Sequence, residues 1–343
     1  ETDRVLGIAA LPAGRLLRQR VVLKGDNNGE MSGDYFKAGA RKLGLAGAPR
    51  LVAGFIALRN RLLRRADAFV SLSSDMQDEL LAHGVPETRI VTIPNSVDAA
   101  RFARRSAPGK MAVRTALGLP EKGLIVLFTG RLLESKGVLD LVRAWAALAP
   151  DHPTARLVIV GSGQGLMRDC EPELHRFIAA RGLGRSVVTT GFVRNVEDYL
   201  AAADIFAFPT TDEAFGISLV EAMAAGLAVV ATRVGGIKDI VAPEANGLSI
   251  EPFDRAALET ALRRLLGDDA LRTRLGAAAT TTVEERYTTE AVLRHYASLL
   301  DSLAATPAGH NPLPAASTES CPAASASRIA IPEGMRNIER QGD

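Results

Sequence analysis

The fold class of this 343-residue chain is decided by residues 124–163, LIVLFTGRLLESKGVLDLVRAWAALAPDHPTARLVIVGSG. This segment contains two nearly unbroken apolar runs, LIVLF at 124–128 and LVIV at 157–160, with the helical pattern VLDLVRAWAALA between them. Unbroken apolar strands are typical of a parallel sheet that is covered by helices on both faces. The segment therefore predicts a strand, a crossover helix and a second, parallel strand.

The same alternation of strand and helix patterns runs through most of the chain. Strand candidates before residue 100 are VVLK at 21–24, ADAFVSLSS at 66–74 and RIVTIPNSVD at 89–98. Later candidates are SVVTTGF at 186–192, IFAFP at 205–209, AVVATRVGG at 228–236 and GLSIE at 247–251. We therefore predict an α/β fold of two consecutive doubly wound parallel-sheet (Rossmann-like) domains, with ligands at the carboxyl ends of the strands.

Pattern and composition divide the chain into four parts. We assign residues 1–105 to an N-terminal domain and residues 106–286 to a second, ligand-binding domain, with a polar connector over roughly residues 101–112. Residues 287–303 have the period of an amphipathic helix. Residues 304–343 are rich in Pro, Ala and Ser and are predicted to form a disordered tail.

Composition excludes several classes of protein. The chain is 47% hydrophobic, its longest apolar runs are of strand length, and no signal-peptide pattern opens it, so we expect a cytoplasmic protein. The two cysteines, Cys170 and Cys321, suggest neither a disulfide framework nor a metal cluster. The chain also lacks a D-x-D motif, so we predict no metal site.

Positive charge is concentrated at the front of the chain. Residues 1–65 carry thirteen Lys and Arg against five Asp and Glu, although the net charge of the whole chain is only +2. The segments RLLRQR (15–20) and RNRLLRR (59–65) fit either a solvated arginine face or a peripheral contact with the anionic inner face of a membrane. Because the basic residues are not interleaved with aromatic residues, and no recognition motif accompanies them, we expect no nucleic acid partner.

Two turns that follow predicted strands carry residues suited to an anionic ligand. In the first, Arg131 directly follows the strand and Lys136 lies five residues later, which offers phosphate oxygens a guanidinium fork and a compact cation. In the second, VGSGQG at 160–165, Gly161 and Gly163 let the backbone approach a ligand closely. The spacing G-x-G-x-G differs from the G-x-G-x-x-G fingerprint, which disfavours a nicotinamide cofactor.

The third turn is DEAFGISLVEAMAAG, residues 212–226, in which seven residues separate Glu213 from Glu221. Gly216 marks the predicted start of a helix, whose first amides would be free to bind phosphate or sugar hydroxyls: those of Ile217, Ser218 and Leu219. Glu213 would lie at the mouth of a cleft, whereas Glu221, inside the helix, would need hydroxyl partners from a ligand. The two acids are predicted to lie apart along one ligand, not paired as in a two-carboxylate hydrolase.

Six motifs, in this order and spacing, resemble the donor domain of the retaining glycosyltransferases of family 4, which have the GT-B fold: TGRLLESKG, LVIVGSG, VVTTGFV, DYLAAADIFAFPT, EAFGISLVEAMAAG and VVATRVGGIKDIV. The resemblance covers roughly residues 66–300, and the E-x7-E element is its most specific part. It implies that residues 1–105 are an incomplete acceptor-side domain, truncated at the N-terminus relative to the family. It also implies that the helix at 287–303 returns to that domain.

The resemblance implies a role for each matching residue. Arg131 and Lys136 match the pair that binds the donor diphosphate and neutralises the departing nucleotide, and Glu213 matches the acid at the reacting end of the donor sugar; we assign these three to catalysis. Glu221 matches the acid that takes the ribose hydroxyls. Further positions match donor-binding backbone: Gly130, Gly161, Gly163, Phe192, Val193, Phe215, Gly216, Ile217, Ser218 and Leu219. Acceptor-side candidates lie after the first strand: Asp26, Glu30 and Asp34.

The leading hypothesis is a retaining glycosyltransferase, of hexosyltransferase type, that moves a sugar from a nucleoside-diphosphate sugar to a carbohydrate or lipid-linked acceptor. It would work without a metal ion or a cofactor, because Arg131, Lys136 and the helix start would stabilise the leaving group. Two alternatives stay open: a nucleotide-sugar-binding fragment without catalysis, and a sugar-nucleotide epimerase, which the transferase-like E-x7-E pattern disfavours.

Overall fold

The computed structural model describes residues 4–33 and 49–305 of the chain. The strands in these residues are β1 Val22–Lys24, β2 Ala68–Ser71, β3 Ile90–Thr92, β4 Ile125–Thr129, β5 Arg156–Val160, β6 Val187–Gly191, β7 Ile205–Phe208, β8 Ala228–Thr232 and β9 Leu248–Ile250. The α-helices are α1 Arg4–Leu16, α2 Pro49–Leu63, α3 Ser74–Ala82, α4 Ala99–Phe102, α5 Ala107–Ala116, α6 Val138–Leu148, α7 Glu171–Ala180, α8 Val196–Ala202, α9 Ile217–Ala224, α10 Ile237–Ile240, α11 Arg255–Gly267, α12 Asp269–Arg286 and α13 Thr289–Ala305.

The described strands form two parallel sheets, which confirms the predicted fold class. The first sheet has the order β1-β2-β3, and the second has the order β6-β5-β4-β7-β8-β9. In the second sheet the order reverses between β4 and β7, which pair in parallel through Val126 with Ile205 and Leu127 with Phe206. Crossover connections leave this point in opposite directions, so a crevice opens at the carboxyl ends of β4 and β7.

The unbroken apolar strands of the second sheet are buried on both faces, as their sequence predicts. In β4, Ile125 and Leu127 pack into the core shared with Leu219 of α9, whereas Val126 and Phe128 face the opposite core. That second core is filled by Trp145, Leu141 and Val142 from α6 and by Leu262 and Leu265 from α11. Two separate cores hold the sheet rigid, so the loops at its carboxyl edge stand on a fixed base.

Residues 101–112 are not a plain polar connector. The segment contains the end of α4 and the start of α5, which are capped by the side chains of Asp98 and Ser106. Arg114, farther along α5, is buried and donates hydrogen bonds to the carboxylate of Asp204 and to the carbonyl oxygens of Ala202 and Gly123. The segment that the sequence predicts as a connector is thus partly helical, and Lys110 within it pairs with Asp204 of the second domain.

The last described helix, α13, lies on the N-terminal domain. Val292, Leu299 and Leu303 pack against Ala68 and Val70 of β2. None of the helices within residues 4–33 and 49–305 combines the length and the hydropathy needed to span a bilayer.

Candidate functional site

The candidate site lies where the loops after β4 and β7 meet. The turn Glu134–Lys136 after β4 is fastened to the segment after β7 through one carbonyl oxygen, that of Ser135. This oxygen accepts hydrogen bonds from the Thr211 amide at 2.7 Å, from Thr210 Oγ1 at 3.0 Å and from Thr211 Oγ1 at 3.2 Å. The two loops therefore form one unit, and residues far apart in sequence are held together.

Lys136 and Glu213 form an ion pair in this unit. Lys136 Nζ lies 2.8 Å from Glu213 Oε2 and 3.2 Å from the carbonyl oxygen of Asp212. The two side chains are only 14% and 20% exposed, so solvent screens their attraction weakly. The structure thus brings together two of the three residues that the sequence assigns to catalysis.

The start of α9 lies beside this pair. Gly216 has φ of 106°, which favours glycine, and precedes the first helical residue, as predicted. A Cβ atom at Gly216 would lie 3.7 Å from Cγ of Glu213, so the acid stands next to the positive end of the helix. The amides of Ile217 and Ser218 have no acceptor among the described residues, whereas the Leu219 amide donates to the Gly216 carbonyl oxygen at 3.0 Å. Two amides, not three, are therefore available to a ligand.

Arg131 and the glycines line the neighbouring strand ends. The Arg131 side chain is exposed and has no hydrogen-bond or ion-pair partner in the described part of the chain. Gly130 and Gly161, at the ends of β4 and β5, pack so closely that a Cβ on Gly161 would lie 1.8 Å from the Gly130 carbonyl oxygen. The amide of Gly161 donates to Gly191 and that of Gly163 donates to the Glu171 carboxylate. These glycines shape the crevice, since their amides are already bonded within the protein.

Glu221 occupies a different position from Glu213. It lies within α9, near Arg101 and Glu197, and its carboxylate forms no hydrogen bond to the described residues. Burial raises the pKa of Glu221 to about 7, although the Arg101 guanidinium acts in the opposite direction. Arg101 itself donates to Glu197 at 2.9 Å. A partly buried carboxylate without protein partners is suited to accept hydrogen bonds from ligand hydroxyls.

Two models of known protein families match parts of this chain. The model of the glycosyl transferases group 1 family matches residues 110–282, which contain Arg131, Lys136, Glu213 and Glu221. The chain belongs to the group 1 glycosyltransferases. A second model, that of glycosyltransferase family 4, matches residues 37–101. The family and fold-class predictions are confirmed.

Two curated relatives each match 64% of this chain. The D-inositol 3-phosphate glycosyltransferase of Streptomyces avermitilis is 35% identical over 229 residues, which is 64% of this chain and 48% of the relative. A glycosyltransferase of Methanocaldococcus jannaschii is 32% identical over 222 residues, 64% of this chain and 55% of the relative. The chain thus spans about half the length of the curated relatives it matches.

Solved structures share the fold over most of this chain. Anabaena HepE in complex with UDP has a TM-score of 0.75 at 22% identity, over 88% of this chain and 77% of that chain. Sucrose-phosphate synthase from Thermosynechococcus elongatus has a TM-score of 0.69 at 26% identity, over 87% of this chain and 72% of that chain. The likeness to HepE is one of fold.

The remaining predicted residues differ in exposure and in their contacts. Phe192 follows β6 and is 78% exposed, whereas Val193 packs against the core; Phe215 is buried edge-on against the Tyr287 ring. Glu30 does not point to a ligand through Oε1, which accepts hydrogen bonds from the Asp26 and Asn27 amides at 3.2 Å each. Asp26 is partly buried, and Asp34 lies outside the described residues.

Three residues that hold loops or main chain in place were not predicted from the sequence. Glu171 holds the glycine turn after β5 by accepting from Ser162 Oγ and from the Gly163 amide, which together lower its pKa. Arg59, counted above in a basic surface segment, is 3% exposed and binds backbone carbonyls inside the N-terminal domain. Asn28 reaches Glu213 from the other domain. No sequence pattern marks them, because each binds a partner in another turn or element that only the folded chain brings close.

Titration of Glu221 is expected to make stability depend on pH. Its pKa is about 7 in the folded state against 4.5 for the ordinary group, so the folded state holds the proton more tightly than the unfolded chain. The free energy of unfolding should therefore be fully retained below about pH 4.5 and decline as the pH rises to about 7, by at most about 3 kcal/mol through this group. We expect Glu221→Gln to flatten this decline, measured by urea denaturation from pH 4.5 to pH 8.

The control for this measurement is Glu285→Gln, which changes an exposed glutamate of α12. It should preserve the wild-type pH dependence. A Glu221→Gln profile that is parallel to that of the wild type across the same range would show that Glu221 is ionised in the folded protein throughout.

Proposed function

We propose that this protein is a retaining glycosyltransferase that moves a sugar from a nucleoside-diphosphate sugar to a carbohydrate or lipid-linked acceptor. The observation that carries the proposal is the Lys136–Glu213 ion pair beside the free amides of Ile217 and Ser218, with the unpaired guanidinium of Arg131 in the adjoining turn. The complexes of HepE with UDP and with UDP-glucose support a nucleotide sugar as the donor.

The charges in this crevice suit the breaking of a bond between an anomeric carbon and a diphosphate. Negative charge develops on the departing diphosphate, and positive charge develops on the sugar. Arg131 and Lys136 would bind phosphate oxygens together with the two amides at the start of α9, since fixed donors aimed at developing charge lower the barrier most. Glu213, next to Lys136, would contact the hydroxyls of the sugar.

The two acids, Glu213 and Glu221, would contact the two ends of one elongated ligand. Glu221, near Arg101 and away from Lys136, would accept hydrogen bonds from the ribose hydroxyls, and their donation would replace the solvation that burial removes. The exposed Phe192 and the backbone at Val193 would frame the base. No metal ion or cofactor enters this scheme, because two cations and a helix start oppose the diphosphate charge.

We also propose that the protein is cytoplasmic and contacts the anionic inner face of a membrane through its N-terminal domain. Exposed Leu16 and Leu17 follow Arg15 at the end of α1, and Leu51 and Leu58 are exposed on α2. Apolar side chains among arginines are typical of surfaces that lie on a lipid interface.

The donor assignment is tested by titration with UDP in a calorimeter. We expect Arg131→Ala combined with Lys136→Ala to weaken binding about a hundredfold or more, since two charge-assisted contacts are lost. The matched control removes two exposed cations of the same domain, Lys122→Ala with Arg255→Ala, and should bind as the wild type does. Equal binding by the double variant would refute the assignment.

Titration with nucleoside diphosphates, together with product analysis of the nucleotide sugar, separates the alternatives. Absence of UDP binding to the wild type would point to another nucleoside diphosphate, and absence of binding to any of them would refute the donor site. Binding of the intact nucleotide sugar without release of nucleoside diphosphate, in the presence of acceptors, would favour a binding protein without catalysis. Conversion to an isomeric nucleotide sugar would favour the epimerase.

A further inference from the structure

A loop of the N-terminal domain, residues 25–33, is built as a rigid support. Glu79 of α3 accepts three hydrogen bonds from this loop, from the amides of Gly29 at 3.0 Å, Met31 at 2.6 Å and Ser32 at 3.0 Å. A carboxylate that accepts several amides makes charge-assisted hydrogen bonds, which are about twice as strong as neutral ones. The loop is therefore fixed to α3.

Two buried side chains of α2 hold the same loop from the other side. Arg59 Nη2 donates to the carbonyl oxygens of Glu30 at 2.8 Å and Met31 at 3.2 Å, and Asn60 Nδ2 donates to that of Met31 at 2.8 Å. Arg59 and Asn60 are 3% and 6% exposed. Such burial of polar groups is costly unless their hydrogen bonds are kept, so the conformation of the loop is strongly determined.

This loop delivers Asn28 to the donor site. Asn28 Nδ2 donates to the carbonyl oxygen of Glu213 at 3.2 Å, and the Gly236 amide donates to the same oxygen at 3.3 Å. Gly235 lies against both partners, because a Cβ there would be 1.6 Å from the Glu213 oxygen and 3.1 Å from Asn28 Nδ2. The main chain of the donor-site acid is thus held from both domains at one atom.

The helix that anchors the loop also binds the segment behind Glu213. At the start of α3, Ser74 donates from its amide and its hydroxyl to Asp239 of α10, both at 2.7 Å, and Asp75 pairs with Lys238 at 2.6 Å. Helix α3 therefore holds loop 25–33 through Glu79 and the Gly235–Ile240 region through Ser74 and Asp75. The relative position of Asn28 and Glu213 is set by one rigid element.

We propose that Asn28 is a positioning residue, which fixes the main chain of Glu213 across the domain boundary so that its carboxylate stays beside Lys136 and the start of α9. The consequence for catalysis rests on the proposed function, but the contact itself does not. The amide group suits this task because it donates to a carbonyl oxygen without adding a charge near the Lys136–Glu213 pair.

The contact is tested by hydrogen exchange of the Gly236 amide and of peptides spanning residues 212–221. We expect Asn28→Ala to accelerate this exchange about fivefold, the equilibrium factor of one neutral hydrogen bond. Asn28→Asp, which has nearly the same shape but no donor, should accelerate it at least as much. Asn27→Ala is the matched control, because Asn27 is an exposed neighbour in the same loop.

Turnover then tests the positioning role. With UDP-glucose as the probe, we expect Asn28→Ala to lower kcat for UDP release about tenfold while the Kd for UDP stays within about twofold of the wild type. Equal exchange in the Asn28→Ala and Asn27→Ala variants would overturn the contact, and faster exchange with an unchanged kcat would overturn the positioning role. A wild type without turnover would count against the proposed function alone, and the exchange contrast would still decide the contact.

Discussion

Replacing Glu213 by glutamine is expected to lower the rate of sugar transfer about a hundredfold without weakening the binding of nucleoside diphosphate. The carboxylate lies 2.8 Å from Lys136 and beside the start of α9, where it would meet the sugar in which positive charge develops. Removing one such electrostatic contact costs about 3 kcal/mol of transition-state stabilisation. The measurement is kcat for UDP release from UDP-glucose.

Whereas kcat is expected to fall, the affinity for UDP is expected to rise in the Glu213→Gln variant. In the proposed site a diphosphate would compete with Glu213 for Lys136, so a neutral glutamine should leave Lys136 freer and tighten UDP binding a few-fold, on the order of 1 kcal/mol. Asp212→Asn is the control, since it changes the neighbouring carboxylate, which is exposed. A Glu213→Gln variant that loses UDP affinity in step with kcat would show that Glu213 supports the diphosphate site and not the sugar.

Replacing Asp204 by alanine is expected to destabilise the second domain by about 3–5 kcal/mol. Asp204 Oδ2 accepts from Arg114 Nη2 and from the Ile125 amide, both at 2.7 Å, and Oδ1 pairs with Lys110. Arg114 is 5% exposed, so alanine would leave a buried cation without its carboxylate. Burial lowers the pKa of Lys110, although the Asp204 charge acts in the opposite direction.

The loss should appear as a fall of about 10 °C in the melting temperature. Asp269→Ala removes an ion pair whose carboxylate is 88% exposed, that with Arg272, and should change stability by no more than about 1 kcal/mol. Equal melting temperatures for the two variants would mean that the Asp204 cluster contributes no more than a surface pair. UDP binding by Asp204→Ala below its melting temperature should match that of the wild type.

The sequence predicts much of this molecule because its strongest signals are local. Strands such as β4 and β5 are apolar on both faces, and the helix at Gly216 begins where glycine precedes an apolar run. Lys136 and Glu213 were predicted as separate features of two turns. Parallel topology brings the turns after β4 and β7 to one edge, which is why a reading of strand ends found both residues.

The hydrogen bonds of individual polar groups could not be predicted from these sequence patterns. Arg59 and Arg114 look like surface arginines in sequence, yet both are buried and bind backbone carbonyls. Glu30 caps its own loop through Oε1, a local role that the sequence pattern did not indicate, and its acceptor-side role stays a prediction. Leu219 was expected to offer its amide, but the tight first turn of α9 uses it. The type of a polar residue does not identify its hydrogen-bond partner, because the same side chain can bind many different groups.

By itself, the sequence determined the α/β class, the order of the strands, the strand-end turns that carry Arg131, Lys136 and Glu213, and the helix that carries Glu221. These follow from hydrophobic periodicity and turn chemistry, which act over a few residues. Only the tertiary structure decided that Lys136 pairs with Glu213 and that Asn28 holds Glu213 at a sequence separation of 185. Such pairings depend on how two domains and two crossover loops pack, and packing is a property of the whole chain.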